Sequence, residues 1–501
     1  MTLALIGLGI VTLFELLLWL PAFWHWRKPL AIVVLAALAI TTVGIVLAAV
    51  SGWATLVMII SVYRAVNLLR LIDGRTQNDY LFHGARRTSF WLIGWQAAAL
   101  GLAAVNHAVH ANILTWWYLL AALQLIGAAV ILWATTRQLR TTRPPVLEQD
   151  ISNNDLPSLT VAIPARNETS DLEACLRSLL KCHYHKLEIL VLDDCSQNKR
   201  TPEIIRGFAH DGVRFIAGDV PPEHWLAKNY AYDQLSKAAN GELLLFCGVD
   251  ARFGPDSLQV IVKTMLQKKK SMLCVVPRSF MAKEHGVVSS VVQSCRYAWE
   301  LALPRRLFQR PPVLSSCWVI TRQALRSAGG FASYKQSILP ERHLAHRSAE
   351  ASQGYTFLCS DAAMGVSSRK SLDEQLATGI RTRYPQLHRR PELVLLVSLA
   401  EFALLVWPFL ILIISILTGV WVLAVFSAVV CTLLTIFYAK IMNLTYRKSL
   451  LRGLVLLPFA ALYDIALLNY SMWQYEFHEV IWKGRNICLP VMRVYPSLPK
   501  I

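Results

Sequence analysis

A chain of 501 residues that is 55% hydrophobic and only 16% charged is too apolar for an ordinary soluble enzyme and long enough for more than one domain. Its net charge of +18 suits anionic lipid or phosphorylated substrates; because Lys and Arg are scattered, with no dense basic tail, nucleic acid is not expected as a partner. Ten cysteines without a CxxC or a zinc-ligand spacing point to a reduced, cytosol-facing chain rather than a disulfide framework.

Residues 1–136 read as a transmembrane block. Apolar runs at Leu3–Trp24, Leu30–Val50, Trp53–Ile72, Phe90–Ala108 and Leu114–Ala134 each approach the ~17 to 25 residues that a bilayer core requires, giving five predicted spans. The third carries Arg64, Asn67 and Arg70, which must face protein, water or headgroups. The first lacks a basic leader and a cleavage site and reads as a retained span. Arg27 and Lys28, then Arg75, Arg86 and Arg87, then Arg137, Arg140 and Arg143 follow alternate runs. The positive-inside rule therefore puts the amino terminus outside and the region beyond the fifth span in the cytoplasm.

Residues 137–158, rich in Arg, Thr, Pro and Asn, have linker chemistry. From 159 to 390 the pattern is α/β. A β-like run, Leu159–Pro164, opens into the polar loop Ala165–Glu168, and Ser170-Asp-Leu-Glu173 is a capping box before Leu172, Leu176, Leu179 and Leu180 at helical spacing. Two further runs, Leu187–Leu192 and Glu242–Cys247, end on Asp193-Asp194 and on Gly248-Val249-Asp250. Ligands of open parallel sheets bind beyond the carboxyl ends of the strands, so these acids are expected around one crevice. The bland readings are a turn or cap role for each Asp, surface charge for Lys228, core packing for Trp225 and a helix-start ion pair between Arg166 and Glu168. Asn167-Glu-Thr169 is also a glycosylation sequon, meaningful only if the domain faced a lumen.

Apolar residues from Val287 to Trp299, ahead of Pro304-Arg-Arg306, predict an interfacial helix or a core helix. Arg381, Arg383, Arg389 and Arg390 precede the next apolar block and suit lipid headgroups or a diphosphate. That block, 391–475, has runs at Leu393–Leu417, Trp421–Ala439 and Gly453–Trp473. Three spans would put Lys483, Arg485, Arg493 and Lys500 of the tail, 476–501, outside. The third run is therefore expected to be a re-entrant or interfacial pair broken near Pro458, with Asp464 facing protein or water and Glu401 lining a groove or the interface.

The strings Val161-Ala-Ile-Pro-Ala-Arg-Asn-Glu168, Leu192-Asp-Asp-Cys-Ser196, His224-Trp-Leu-Ala-Lys228 and Phe246-Cys-Gly-Val-Asp-Ala-Arg-Phe253, in this order, resemble the landmarks of membrane-bound family-2 glycosyltransferases, nearest the carotenoid and hopene-associated branch. The Trp482-Lys-Gly-Arg485 string is similar to that family's tail. The resemblance implies a polytopic membrane protein with an inserted cytoplasmic GT-A-like, Rossmann-like α/β domain, acting on a nucleotide-sugar donor and a membrane-lipid acceptor. It implies nucleotide-sugar binding by Pro164, Arg166, Glu168, Asp193, Asp194, Trp225 and Lys228. It further implies a divalent cation, Mg2+ or Mn2+, at Asp250, and a catalytic base at Glu341 in Pro340-Glu-Arg-His-Leu344. Gln386, Arg389, Arg390, Trp482 and Arg485 become candidates for acceptor or diphosphate contact. The chain departs from the family pattern at three places: Gly248 replaces the first metal acid, Ala227 a glycine, and Pro340 the first acid of the base motif. These changes leave a catalytically impaired lipid-binding or assembly protein as one alternative. A processive polysaccharide synthase is the other, since Gln386-Leu-His-Arg389-Arg390 only partly matches a Gln-x-x-Arg-Trp string.

Overall fold

A computed structural model describes residues 2–20, 23, 26–48, 52–73, 79–109, 113–144, 152–279, 297–298, 313–350, 354–445, 455–477 and 479–488. Most of the helix expected over 287–299, the Pro304–Arg306 string, and Arg493 and Lys500 lie outside the described residues.

The amino-terminal block contains α1 (Thr2–Leu17), α2 (Arg27–Ala48), α3 (Gly52–Ile72), α4 (Asp79–Val109) and α5 (Ile113–Thr141). Helix α1 ends earlier than its apolar run because Arg27 Nε donates to Leu18 O at 2.8 Å, so the carbonyls past its last turn are satisfied by a side chain from the next helix. Helix α5 runs past the expected linker boundary, with the Arg137 guanidinium 5.4 Å from the Trp133 ring centre one turn earlier. The polar residues of α3 face protein. Arg64 pairs with Glu15 at 2.6 Å, both fully buried, Asn67 Nδ2 donates to Ala85 O at 3.0 Å, and Arg70 pairs with Glu476.

The α/β region follows as β1 (Leu159–Ala165), α6 (Ser170–Leu180), β2 (Leu187–Asp193), α7 (Arg200–Gly207), β3 (Val213–Ala217), α8 (Ala227–Ala238), β4 (Leu243–Cys247), β5 (Ala251–Arg252), α9 (Ser257–Gln267), β6 (Met272–Val276), β7 (Arg278–Ser279), β8 (Cys317–Thr321), α10 (Arg322–Ser327), α11 (Pro340–Glu350), β9 (Tyr355–Cys359), β10 (Ser367–Ser368) and α12 (Leu372–Gln386). Seven strands form one sheet in the order β3-β2-β1-β4-β8-β6-β9, parallel except where β8 runs against β4 and β6. Alternation along each strand builds two cores. Leu159, Val161, Ile163, Leu243 and Leu245 pack under α6, α7 and α9. Ala162, Leu244 and Phe246 face the other way, where Phe246 stacks on Trp318 at 4.5 Å and meets Phe331 edge-on at 5.4 Å. This second core is continuous with Val430, Leu434 and Phe437 of a later apolar helix, so the sheet sits directly on the membrane block.

That block is α13 (Pro391–Glu401), a π-turn at Phe402–Val406, α14 (Trp407–Leu417), α15 (Trp421–Thr445) and α16 (Leu457–Glu476), followed by a hairpin of β11 (Ile481–Trp482) and β12 (Arg485–Asn486). Pro408 has no N–H and widens the turn before it, and Gln124 of α5 donates to Ala403 O at 2.6 Å there. Five stretches among the described helices are long and apolar enough to cross a membrane: Arg27–Leu47, Ala54–Ile72, Leu114–Thr141, Pro391–Leu417 and Trp421–Asn443.

The run Gly453–Trp473 is expected from sequence to break near Pro458; residues 453–454 lie outside the described residues, Leu456 is a turn, and the next helix begins at Leu457. Helix α16 is continuous from Leu457, and Pro458 sits in its first turn, where no backbone donor is needed. It lies along α12. Gly379 permits the close approach, since a Cβ there would come 2.5 Å from Leu467 Cδ2. Tyr384 N donates to Ser471 Oγ at 3.1 Å, Tyr475 OH donates to Arg381 O at 2.7 Å, and Arg383 pairs with Asp464, which thus faces protein. Glu401 is half-buried.

Candidate active site

Strands β1, β2 and β4 run parallel and end at one edge of the sheet, and the loops after them are stitched together before any ligand is considered. Asp194 N donates to Ala165 O at 2.8 Å, Asn167 N to Ser196 Oγ at 2.9 Å, and Gln197 N to Asn167 Oδ1 at 2.8 Å. Asn167 and Cys195 take φ of 53° and 51°, the left-handed turns that let each loop double back. Asn167 is therefore part of the loop scaffold. Pro164, half-buried, pairs with Leu192 only, beyond the stretch where β1 also meets β4, so its missing N–H leaves no gap in that ladder.

The carboxyl-terminal hairpin closes one end of the edge. Lys483 and Gly484 turn it with φ of 47° and 77°. Arg485 Nη1 donates to Asp194 Oδ2 at 2.6 Å, Lys483 pairs with Glu168, and Arg166 Nε donates to Lys483 O at 3.0 Å. Arg166 Nη1 also reaches Asp194 O and Cys195 O, each at 2.6 Å. The expected Arg166–Glu168 ion pair is thus replaced by cross-chain partners. Burial raises the Asp194 carboxyl from its ordinary value against the pull of Arg485 and Arg166, and burial with Arg166 nearby pushes Lys483 down to about 8. Asp193 Oδ1 accepts from Ser196 N at 3.2 Å, the turn-capping arrangement.

At the other end, the start of α8 is tied to the loop before α11. Asn229 Nδ2 donates to Tyr334 O at 2.9 Å and Ser337 O at 2.8 Å, and Leu226 N donates to Lys335 O at 2.9 Å. Lys228, in the first turn of α8, thereby comes 3.6 Å from Glu341, in the first turn of α11. Glu341 is 1% exposed and neither carboxylate oxygen has a hydrogen bond among the described residues. Burial lowers Lys228 to about 8, with Glu341 opposing and Arg381 and Lys370 adding to the shift. Trp225 is half-buried against the sheet core, edge-on to Tyr230 at 5.5 Å. Between the two ends lies a small cavity, open to solvent, lined by Leu226, Ala227, Lys228, Arg381, Trp482 and Arg485, among others. The Arg381 guanidinium lies 4.7 Å over the Trp482 ring. Three cations beside a helix amino terminus make this a place for an anion.

Gln386, Arg389 and Arg390 are not among the residues lining this cavity. Gln386 O accepts from Arg342 Nη1 at 3.2 Å, Arg389 Nη1 donates to Cys488 O at 2.9 Å, and Arg390 Nε donates to Glu392 Oε1 at 2.7 Å. These contacts hold α12, α13 and the tail in register. Sequence reasoning did not single out Lys370 or Asn229, named Lys483 only for its charge in the tail, and placed Arg381 in a cluster suited to lipid headgroups or a diphosphate. Lys483 could have been found inside the Trp-Lys-Gly-Arg string, whereas Lys370 and Asn229 carry no local signal.

Asp250 follows β4 on the same edge. Its Oδ2 accepts from Ser368 Oγ at 2.5 Å and lies 3.7 Å from Lys370 Nζ. A Cβ at Gly248 would fall 2.4 Å from Asp250 Oδ1, so this carboxylate fills the space beside the missing first acid. Among the described residues no group of three or more His, Cys, Asp or Glu could hold a metal ion. A protein-built cage for Mg2+ or Mn2+ does not fit these side chains: one carboxylate is present, and its partners are a hydroxyl and an ammonium.

Residues 160–328 match the family model described as Glycosyl transferase family 2, so the chain carries a family-2 glycosyltransferase domain. The chain is 28% identical over 136 residues to a 4,4'-diaponeurosporenoate glycosyltransferase of Staphylococcus haemolyticus, which covers 27% of this chain and 36% of that protein. It is 31% identical over 128 residues to an N-acetylglucosaminyltransferase of Rhizobium leguminosarum bv. viciae, covering 25% and 30% respectively. The chain spans about a third of the length of these curated relatives. Among solved structures it is similar to the mannosyltransferase PcManGT from Pyrobaculum calidifontis in complex with GDP-Man and Mn2+, at a TM-score of 0.42 and 16% identity, covering 72% of this chain and 98% of that one. It is also similar to residues 1–349 of S. aureus TarS in complex with UDP-GlcNAc, at a TM-score of 0.31 and 14% identity, covering 64% and 92%.

Proposed function

We propose that this chain, with its family-2 domain set between membrane helices, is a membrane glycosyltransferase. It moves a sugar from a nucleotide-diphosphate donor, UDP-linked, to a hydroxyl or phosphate of a membrane lipid, with inversion at the anomeric carbon. The observation that carries this reading is Glu341: a fully buried carboxylate without a hydrogen bond among the described residues, facing a lysine at the carboxyl edge of the sheet. The Lys228 ammonium offsets its charge, and because neither oxygen is hydrogen-bonded among the described residues, both are open to accept a substrate proton.

In this reading the base and ribose lie at the loops of Pro164, Arg166, Glu168, Asp193 and Asp194. The diphosphate lies in the cavity against Lys228, Arg381 and Arg485, with Trp225 and Trp482 framing it. The acceptor oxygen attacks the anomeric carbon from the face opposite the diphosphate. The bond from that carbon to the diphosphate oxygen breaks and its electron pair leaves with the nucleotide; the proton of a hydroxyl acceptor passes to a Glu341 oxygen. Of the divalent cation that the sequence motif implies, Asp250 is the one carboxylate ligand left, and no step of this displacement depends on it. Helix α16, with Phe459, Leu462 and Trp473 exposed, suits the lipid interface beside the cavity, where a bilayer-borne acceptor would arrive. In a cell membrane the chain would be multi-pass with the crevice cytoplasmic, following the Arg and Lys distribution.

The test incubates the purified full chain with labelled UDP-sugars and a membrane lipid extract, followed by mass analysis of the lipid fraction. A glycosylated lipid of inverted configuration is expected. Nucleotide binding without transfer to any lipid would leave the impaired-relative reading in its place.

A further inference from the structure

We infer that Lys370 does here what a divalent cation does in other donor sites of this kind: with Lys228 it neutralises the donor diphosphate, so that the chain binds its donor without Mg2+ or Mn2+. The inference rests on the proposed donor reading of this crevice.

Three features on the sheet edge carry it. First, a cation bridging a carboxylate to a diphosphate needs free carboxylate oxygens, and Asp250 Oδ2 is engaged, holding Ser368 at 2.5 Å and facing Lys370 at 3.7 Å, with Gly248 supplying no second acid. An aspartate at 248 would place its Cβ 2.4 Å from Asp250 Oδ1, the mobile end of that side chain, so a first acid there would require the Asp250 carboxylate to turn from its present position. Second, the lysine is delivered by the backbone. Ser367 and Ser368 pair antiparallel with Arg252 and Ala251, Arg369 N donates to Asp250 O at 3.0 Å, and Gln375 Nε2 donates to Lys370 O at 3.1 Å. This register sets the Lys370 ammonium 3.7 Å from Asp250 Oδ2. Third, the crevice already holds the positive charge a diphosphate needs, in Lys228, Arg381 and Arg485. Two ammonium groups supply the same total charge as one divalent ion, as point charges with donors to offer.

In the transfer step the electron pair of the breaking bond moves onto the diphosphate, and the two ammonium groups meet the charge that appears there. They hold their protons throughout. Asp250 then acts as a positioning residue, fixing Lys370 in the manner of the Ser368 contact.

The experiment titrates UDP and, separately, GDP into the purified full chain by calorimetry, first in EDTA and then in excess Mn2+. The expected result is binding of one nucleotide with a Kd equal to within about twofold in the two conditions, and a Lys370→Met variant whose binding in EDTA is weaker by about ten- to a hundredfold, the usual worth of a hydrogen bond to a charged group. Lys370→Arg should retain most of the affinity, and a Lys370→Met, Gly248→Asp double variant should recover affinity only when Mn2+ is added. Binding by the unaltered chain that appears only with Mn2+ overturns the inference while leaving the donor reading intact, as does a Lys370→Met chain, folded by its thermal transition, that binds like wild type in EDTA. Failure of both nucleotides in both conditions overturns the donor reading and this inference with it.

Discussion

Asp194 and Glu341 are both buried carboxylates on the same edge of the sheet, and the protein treats them in opposite ways. Asp194 takes Arg485 Nη1 at 2.6 Å, with Arg166 bonded to its carbonyl, whereas Glu341 has no hydrogen bond among the described residues and Lys228 stands off at 3.6 Å. A carboxylate whose lone pairs are filled by guanidinium is fixed and can orient what lies on it. One whose lone pairs are empty can take a proton. In the proposed reading, the Asp194 end of the crevice holds the nucleotide and the Glu341 end does the chemistry.

The sharpest way to break this contrast is to remove the empty lone pairs. Glu341→Gln should lower sugar transfer by about 10² to 10⁴-fold, with nucleotide affinity unchanged, and Glu341→Asp should be the milder change. Rates from labelled donor, set beside calorimetric affinity, decide it, and near wild-type transfer by Glu341→Gln would remove that residue as the base. At the held end the effect should fall on stability. Arg485→Ala strands Asp194 at 5% exposure without its partner, which should cost about 3 to 5 kcal/mol and lower the thermal transition. An unchanged transition would mean that the hairpin does not lock the nucleotide end.

A pH series sharpens the contrast further. Lys228 and Lys483, held near 8 against an ordinary 10.5, lose charge as pH rises through about 8. Between about 8 and 10.5 the folded chain binds fewer protons than the unfolded one, so these two groups make stability rise with pH across that window; below it both states are protonated and the cost of burying the charge is fully present. Diphosphate affinity should move the other way and begin to fall near pH 8. Affinity and thermal transition measured together from about pH 7 to about 9.5 test the opposed signs, and a parallel fall would assign the titration to other groups. The smallest effect is expected at the exposed Glu173–Arg177 pair of α6, 2.8 Å apart, where Glu173→Ala should change stability by about 0.3 to 0.5 kcal/mol and leave binding alone.

The sequence made the sheet legible because period-2 alternation and acidic strand ends are local signals: Leu159–Ala165, Leu187–Asp193 and Leu243–Cys247 all fall where they were expected. The polar residues of α3 had been required to face protein or water, and their partners Glu15, Ala85 and Glu476 lie on other helices, beyond any pattern within the run. The same separation along the chain hid Lys370 from Asp250 and Asn229 from the loop before Glu341. Pro458 marks a helix boundary because proline disrupts a helix interior but suits a first turn, and α16 begins at Leu457.

The hairpin contact between Arg485 and Asp194 also sets an order of assembly. Asp194 leaves the ribosome long before its partner, and α13, α14, α15 and α16 must all be made in between. During synthesis the Asp194 loop therefore lacks its Arg485 partner until the last helices have been made. In the proposed reading, donor binding would depend on the carboxyl-terminal helices being in place.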